Sequence, residues 1–379
     1  MKSLSFLEKS ILFLLLVSSF ILNALPGFSR LSICLAALFL FFIFLKERKV
    51  FLIKNYLLPF IFLAFNMFSL LWGGNVDYVM QVSSAVIIGY AVFVGLRYDM
   101  PTSLLLWTMA LAAAVNIVFS YQNILYFQGT EADRIAGLSG NANGLAILLS
   151  FIAFFLYFLA RKRNFLIKCI VFFLLFFVLF YTGSRKGLLL VGMIMLFFGM
   201  DYLMWQKAKM RSQRFIIVFL VLMLFLGFCF KKFYETSKDI VAVQRAEELL
   251  RGEDLWSAQT RYLMIDEGIK LWLAKPVFGW GGGGFAKNSG FGTYSHNNYT
   301  EILSNYGITG FCLYYSFYVY LFMFGWKLRR EYLPRIGLFV VLMFFILGWG
   351  FVSLADKASW IFLGISAHCM FPYKKEQLK

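Results

Sequence analysis

Stretches of about 20 mostly apolar residues recur along the whole chain. An α-helix needs about 20 such residues to cross the hydrocarbon core of a bilayer. The composition agrees with this pattern, since 61% of the residues are apolar and only 15% are charged, against roughly 25% charged in soluble domains. The sequence therefore predicts an all-α polytopic membrane protein.

Twelve segments have the length and composition of a transmembrane helix, and one polar stretch between them is long enough to form a folded loop. We predict transmembrane helices 1–9 in residues 1–230, a long and partly helical extracytoplasmic loop in 231–298, and helices 10–12 with a cytoplasmic tail in 299–379. The twelve predicted spans lie near residues 10–25, 31–45, 55–72, 79–95, 101–119, 142–160, 165–181, 187–204, 215–230, 299–325, 336–353 and 359–373.

The net charge of +17 is distributed unevenly between the two sides of the predicted membrane. The side that holds both termini has 22 Lys and Arg residues, whereas the short loops of the other side have five. Cytoplasmic loops carry the excess of basic residues, so both termini are predicted to be cytoplasmic and residues 231–298 extracytoplasmic. The basic charge reflects topology, and nucleic acid is not a predicted partner.

The long polar segment contains two helix signals and a glycine-rich sequence. Residues 237–252 have apolar residues separated by charges, as in an amphipathic helix that lies on a surface. A second helix is predicted from Ser257, as its N-cap, to Pro276. The sequence GWGGGG at 279–284 then either bends sharply or allows a lid to move, because glycine adopts conformations that other residues avoid.

Three arginines on the predicted external side are candidates for binding an anion. Arg185 lies in a turn of small residues, Arg261 lies on the second loop helix, and Arg134 lies in the loop 120–141. A guanidinium stays charged and binds phosphate with paired hydrogen bonds, so three converging arginines would suit a lipid-linked diphosphate. Each could instead contact a lipid headgroup or pair with a nearby carboxylate.

His296 is one of two histidines in the chain and lies near the end of the long polar segment. Neutral imidazole is a suitable general base near pH 7. The alternative is an exposed loop histidine without a function. No Asp-x-Asp sequence or histidine pair lies on the predicted external side, so no metal ligands are visible there.

Several of these motifs together resemble the O-antigen ligase and Wzy-type polymerase superfamily. Arg261 is followed by IKLWLAKPVFGWG and SHNNYTEILSNYGITG, which resemble the family's loop arginine, Pro-x-x-Gly-x-Gly turn and His-Asn motif before a Gly-x-x-Gly helix. TGSRKG (182–187) resembles its arginine turn. RIAGLSGNANGLA (134–146) resembles its Asn-x-x-Ala helix start, with Ala142 where the family often has proline. The resemblance spans roughly residues 134–325.

The resemblance implies an inverting, metal-independent glycosyltransferase of GT-C-like architecture in the bacterial cytoplasmic membrane, without a cofactor. It would move a glycan from a polyprenyl (undecaprenyl) diphosphate carrier to a hydroxyl of an acceptor glycan or of lipid A-core. Arg185 and Arg261 would bind the diphosphate with support from Arg134, and His296 would position or deprotonate the acceptor hydroxyl. The residues that the motifs assign to substrate binding or to holding the loop are Asn143, Asn297 and Asn298.

Other classes of protein remain open at this point. A transporter also commonly has twelve spans, but it is expected to show internal repeats, broken helices and ionisable residues deep in its spans, whereas the spans here are almost free of charge. A peptidoglycan polymerase would lack the His-Asn motif. Within the resembling family, ligases, polymerases and protein-glycosylating transferases share these residues, and the acceptor distinguishes them.

Overall fold

The structure, a computed structural model, describes residues 4–24, 28–47, 54–98, 102–120, 135–159, 165–206 and 256–371. All regular elements in these residues are helical, which confirms the predicted all-α class. Four short 3₁₀ segments accompany the α-helices, at Leu22–Ala24, Lys54–Tyr56, Ser69–Trp72 and Gly137–Ser139. The α-helices are α1 (Phe6–Phe20), α2 (Leu31–Glu47), α3 (Leu57–Phe68), α4 (Val76–Arg97), α5 (Thr102–Phe119), α6 (Ala142–Leu159), α7 (Phe165–Tyr181), α8 (Arg185–Gln206), α9 (Trp256–Ala274), α10 (Gly284–Asn288), α11 (Asn298–Lys327), α12 (Tyr332–Leu347) and α13 (Lys357–Met370).

The helices agree with the predicted spans wherever the chain is described. A helix overlaps every predicted span except the ninth, 215–230, which lies outside the described residues, as does the predicted surface helix 237–252. By length and composition, α4, α5 and α11 are able to cross a membrane, and five further apolar helices are shorter. A helical membrane protein is therefore supported, while the twelve crossings, the domain bounds and the sidedness of the loop stay predictions.

The chain divides into two compact units, one formed by Met1–Thr108 with Asp254–Lys379 and the other by Met109–Glu253. In the first unit, α4 and α12 pack against α13, and α11 packs against α3, α9 and α12. In the second unit, α6 packs against α7 and α8. The helix α9, which belongs to the predicted loop, thus lies against the helix that begins with the His-Asn motif.

The helix α11 is interrupted at Gly307, whose φ of 62° and ψ of −167° are not helical. A break of this kind leaves carbonyls before it and amides after it without helical partners. The segment 276–284, called the glycine turn below, supplies those partners through four backbone hydrogen bonds. These bonds run from Trp280 N to Ser304 O (3.0 Å), from Gly281 N to Asn305 O (2.7 Å), from Ile308 N to Pro276 O (2.8 Å) and from Thr309 N to Val277 O (3.2 Å).

Of the two alternatives predicted for the glycine-rich sequence, the structure shows the sharp bend. Gly279, Gly281 and Gly283 have φ of 66°, 87° and 79°, a region that residues with a Cβ rarely enter. A Cβ on Gly281 would also overlap the backbone of Gly74, and a Cβ on Gly307 would overlap the carbonyl of Val277. The glycines therefore allow the turn and the broken helix to touch backbone to backbone.

We predict that Gly307→Ala destabilises the protein more than Gly292→Ala does. Both glycines have nearly the same positive φ, 62° and 65°, so either substitution carries a left-handed cost of roughly 1–2 kcal/mol. A Cβ at Gly292 meets nothing within 4 Å, whereas at Gly307 the overlap with Val277 adds about 1–3 kcal/mol. Thermal unfolding of the two variants in the same detergent measures the difference, and equal losses of stability would contradict the close approach.

Candidate functional site

The helix α9 brings Arg261 toward the start of α11. Met264 and Leu271 are buried on one face of α9, and a Cβ on Gly268, between them, would lie 3.0 Å from the Cβ of Thr300 in α11. Residues three and four apart share a helix face, so Arg261 lies on this same packed face, one turn before Met264. The helix begins at Trp256, so the predicted N-cap residue Ser257 is instead inside its first turn.

His296 lies in a turn with a left-handed backbone. Its φ is 56°, and among the described residues it is the sole non-glycine residue with a positive φ. Such conformations cost roughly 1–3 kcal/mol and persist where the surrounding structure imposes them. The Ser295 hydroxyl donates to the carbonyl of Asn297 across the turn at 2.8 Å, and the rings of Tyr294 and His296 are 4.4 Å apart. His296 itself is partly exposed.

The Tyr294 side chain contacts the His296 ring and is affected by the charge of Arg261. Burial raises the pKa of the Tyr294 hydroxyl above its usual value, the negative charge of Glu301 raises this pKa as well, and the positive charge of Arg261 opposes both effects. The Tyr294 ring contacts His296, and α9, which contains Arg261, packs against α11, which begins just after His296, so the two residues belong to adjacent elements of one compact unit.

Asn297 and Asn298 both hold the His296 turn in place. The Asn297 side chain is the N-cap of α11 and accepts from the amides of Tyr299 (2.9 Å) and Thr300 (3.1 Å). The Asn298 amide donates to Tyr315 Oη at 3.0 Å, and its oxygen accepts from Ser353 N at 3.0 Å. The two residues are 1% and 2% exposed, so of the two predicted roles these contacts describe holding the loop.

Glu301 is a residue of this site that the sequence motifs did not indicate. It is completely buried, although it lies only five residues after His296, and its carboxylate accepts three hydrogen bonds. The signal in the sequence was a carboxylate within an otherwise apolar predicted span, which is costly unless it has a specific role. An acidic residue in the first turn of a helix is also common for dipole reasons, so the sequence alone does not distinguish the two.

The second compact unit contains the TGSRKG segment (182–187), called the Arg185 turn below. Arg185 is the first residue of α8, and Ser184 caps that helix by accepting from Gly187 N at 3.1 Å. The Ser184 hydroxyl donates to Asn143 Oδ1 at 2.8 Å, so Asn143 anchors the turn from the start of α6. Arg134 lies outside the described residues, and Ile135, the next residue in the sequence, donates its amide to Tyr181 O at 3.0 Å.

A pocket lies beside the glycine turn. The pocket has a volume of about 370 Å³ and is lined by Trp72, Lys275, Pro276, Val277, Phe278 and Gly279. No predicted site residue lines it.

Nowhere in the described ranges do three His, Cys, Asp or Glu side chains come together in a way that could hold a metal ion. Metal independence and the lack of a cofactor stay predictions.

We predict that the hydrogen bond between Asn143 and Ser184 stabilises the Arg185 turn. In a double-mutant cycle of Asn143→Ala and Ser184→Ala, the two losses of stability should fail to add, with a coupling of roughly 0.5–3 kcal/mol. Ser184→Ala also removes the helix cap, so its single loss should be the larger one. Unfolding in detergent measures each loss, and strictly additive losses would contradict a direct bond.

The comparisons with known proteins agree with the sequence motifs. Residues 170–315 match the family model described as O-antigen ligase. The matched range includes Arg185, Arg261 and the His296 turn, and it falls within the resemblance drawn from the motifs. No curated protein matches the chain. Residues 170–315 are thus similar to the O-antigen ligase family, and this match supports the resemblance to O-antigen ligases and Wzy-type polymerases that the motifs indicated.

Proposed function

We propose that the protein is a membrane glycosyltransferase that moves a glycan from a polyprenyl diphosphate carrier to an acceptor hydroxyl, as a polymerase or a ligase. The family assignment supports glycan transfer in general terms, and the long apolar helices support a membrane location. The observation that carries the proposal is the packing of α9, which contains Arg261, against the start of α11 just after the His296 turn. It combines a permanent cation with a partly exposed imidazole.

His296 acts in this proposal as the general base. Its nitrogen takes the proton of the acceptor hydroxyl while the hydroxyl oxygen bonds to the anomeric carbon of the donor glycan. The bond between that carbon and the diphosphate oxygen breaks in the same step, so the configuration of the anomeric carbon inverts. A positioned general base accelerates such a step by about 10²–10⁴-fold. The left-handed backbone at His296 is the kind of strain that is found at functional sites.

The arginines meet the charge of the leaving group. A diphosphate that leaves with its charge stabilised by a fixed guanidinium needs neither a proton nor an obligatory metal ion. Arg261 has this role in the proposal. The roles of Arg185 in binding the diphosphate and of Arg134 in supporting it rest on the sequence motifs. Asn143 anchors the Arg185 turn, and Asn297 and Asn298 anchor the His296 turn.

The proposed location is the bacterial cytoplasmic membrane, with both termini in the cytoplasm and the site on the outer side. The supporting observation is the charge asymmetry of the sequence, 22 basic residues on one predicted side against five in the short loops of the other. On the outer side of the membrane, the enzyme meets polyprenyl-linked glycans and an acceptor, either a growing glycan or lipid A-core.

One observation in the structure favours the alternative of a transporter. Broken helices bind substrates and ions in transporters through their open backbone groups, and α11 is broken at Gly307. Here, however, Ser304 O, Asn305 O, Ile308 N and Thr309 N are bonded to the glycine turn. Because the backbone groups at the break are engaged within the protein, the break supports a structural role, and the enzyme remains the better proposal.

The test is glycan transfer by purified protein in proteoliposomes with a polyprenyl-diphosphate oligosaccharide, with and without lipid A-core. Chain growth without core identifies a polymerase, and single transfer onto core identifies a ligase. We predict that His296→Ala lowers turnover about 10²–10⁴-fold with donor binding unchanged, and that Arg261→Ala also weakens donor binding.

Lys270→Ala is the matched control for Arg261→Ala. Lys270 lies on the same helix α9, and its salt bridge with Glu267 is solvent-exposed, so its removal should change turnover less than about threefold, as expected for an exposed pair. Turnover of His296→Ala and Arg261→Ala within a few-fold of wild type would contradict the site.

A further inference from the structure

The buried carboxylate of Glu301 has more hydrogen bonds than a helix terminus requires. A charge without exposed surface is costly unless hydrogen bonds replace the lost water, and Glu301 is 0% exposed. Its Oε1 accepts from Tyr78 Oη at 3.1 Å and from Asn305 Nδ2 at 2.9 Å. Its Oε2 accepts from the backbone amide of Ser295 at 2.7 Å. The three donors belong to three separate parts of the chain: α4, the turn before α11, and α11 itself.

The bond to Ser295 lies outside the usual capping pattern. In a capping box, the third helical residue returns to the amide of the N-cap residue. The N-cap here is Asn297, and its own side chain already accepts from the first-turn amides. Glu301, the fourth helical residue, instead reaches past the N-cap to Ser295, which directly precedes His296. The bond therefore fixes the backbone of the His296 turn.

The other two donors connect this bond to the rest of the unit. Tyr78 belongs to α4, so it ties the carboxylate to a helix distant in sequence. Asn305 donates to Glu301 while its side-chain oxygen accepts from Phe285 N at 2.7 Å, and Phe285 directly follows the glycine turn. The carboxylate is thus held in place by α4 and α10 before it contacts the His296 turn.

We propose that Glu301 is a positioning residue for His296. Its buried carboxylate, fixed by Tyr78 and Asn305, holds the amide of Ser295 and so keeps the next residue in its left-handed conformation, with the imidazole turned toward the acceptor hydroxyl. Three hydrogen bonds fix the Glu301 carboxyl group in one position, which suits it to hold a strained turn. The effect on catalysis rests on the proposed function, whereas the effect on the turn does not.

The two-histidine composition of the chain allows a direct test. Protein labelled with isotopes in histidine alone gives two side-chain NMR signals in detergent micelles, and His296→Ala assigns them. Glu301→Gln keeps one oxygen that accepts from Ser295, although its amide group cannot also accept from Tyr78 and Asn305 as the carboxylate does, and it should change the His296 signal less than Glu301→Asp does. Glu301→Leu removes that oxygen, and Glu301→Asp withdraws it by one methylene. Both should shift or broaden the His296 signal, while the signal of His368, the second histidine of the chain, stays unchanged.

Glu267→Leu is the matched control, since Glu267 is a partly exposed acidic residue on α9 that pairs with Lys270. It should move neither signal. Glu301→Asp keeps the negative charge but shortens the side chain, and Glu301→Gln keeps the length but removes the charge. The two variants therefore separate the effect of charge from that of side-chain length, even where Glu301→Leu fails to fold. An unchanged His296 signal in Glu301→Asp, or a signal disturbed by Glu301→Gln and not by Glu301→Asp, overturns the proposal.

Glycan transfer supplies the second readout. Because a displacement of about 1 Å costs about 10²-fold in rate, kcat should fall by about that factor in Glu301→Asp, with KM for the donor within about threefold of wild type. Glu301→Gln should retain kcat within about tenfold. A fall in donor affinity with unchanged kcat would overturn the positioning role. If His296→Ala transfers glycan at the wild-type rate while the Glu301 variants change the His296 NMR signal as expected, the proposed function fails. The structural role of Glu301 then still stands.

Discussion

The break in α11 at Gly307 determines how the rest of the site is built. In a membrane, backbone amides and carbonyls need partners within the protein, and a helix that is interrupted exposes several at once. The glycine turn bonds to both sides of the break, which its glycines allow because no Cβ separates the two backbones. The segment between α9 and α11 is thereby fixed to the helix at a defined register.

This attachment has consequences in both directions along the chain. Before the turn, α9 packs against α11 and presents Arg261 on its packed face. After the turn, Phe285 bonds to Asn305, Asn305 bonds to Glu301, and Glu301 bonds to Ser295 beside His296. The two residues proposed for catalysis are therefore placed by the same part of α11, one through helix packing and the other through a chain of hydrogen bonds.

Much of this architecture could be predicted from the sequence, because apolar length and motif spacing are local properties. The helical class, the second loop helix and the similarity to the O-antigen ligase family follow from them. The break at Gly307 does not, since a single glycine costs a helix only about 1 kcal/mol and residues 299–325 therefore read as one span. The hydrogen bonds that compensate for the break come from the glycine turn, about thirty residues earlier. The role of Glu301 is equally non-local, because Tyr78 lies on another helix.

Single-turnover transfer shows whether His296 performs the chemical step on a donor held by arginine. Wild-type protein and His296→Gln are each saturated with polyprenyl-diphosphate glycan, and transfer to an acceptor is followed after rapid mixing. We expect that both proteins bind the donor equally and that the rate of transfer in His296→Gln is about 10²–10⁴-fold lower. A variant that transfers the glycan at the wild-type rate would contradict this role of His296.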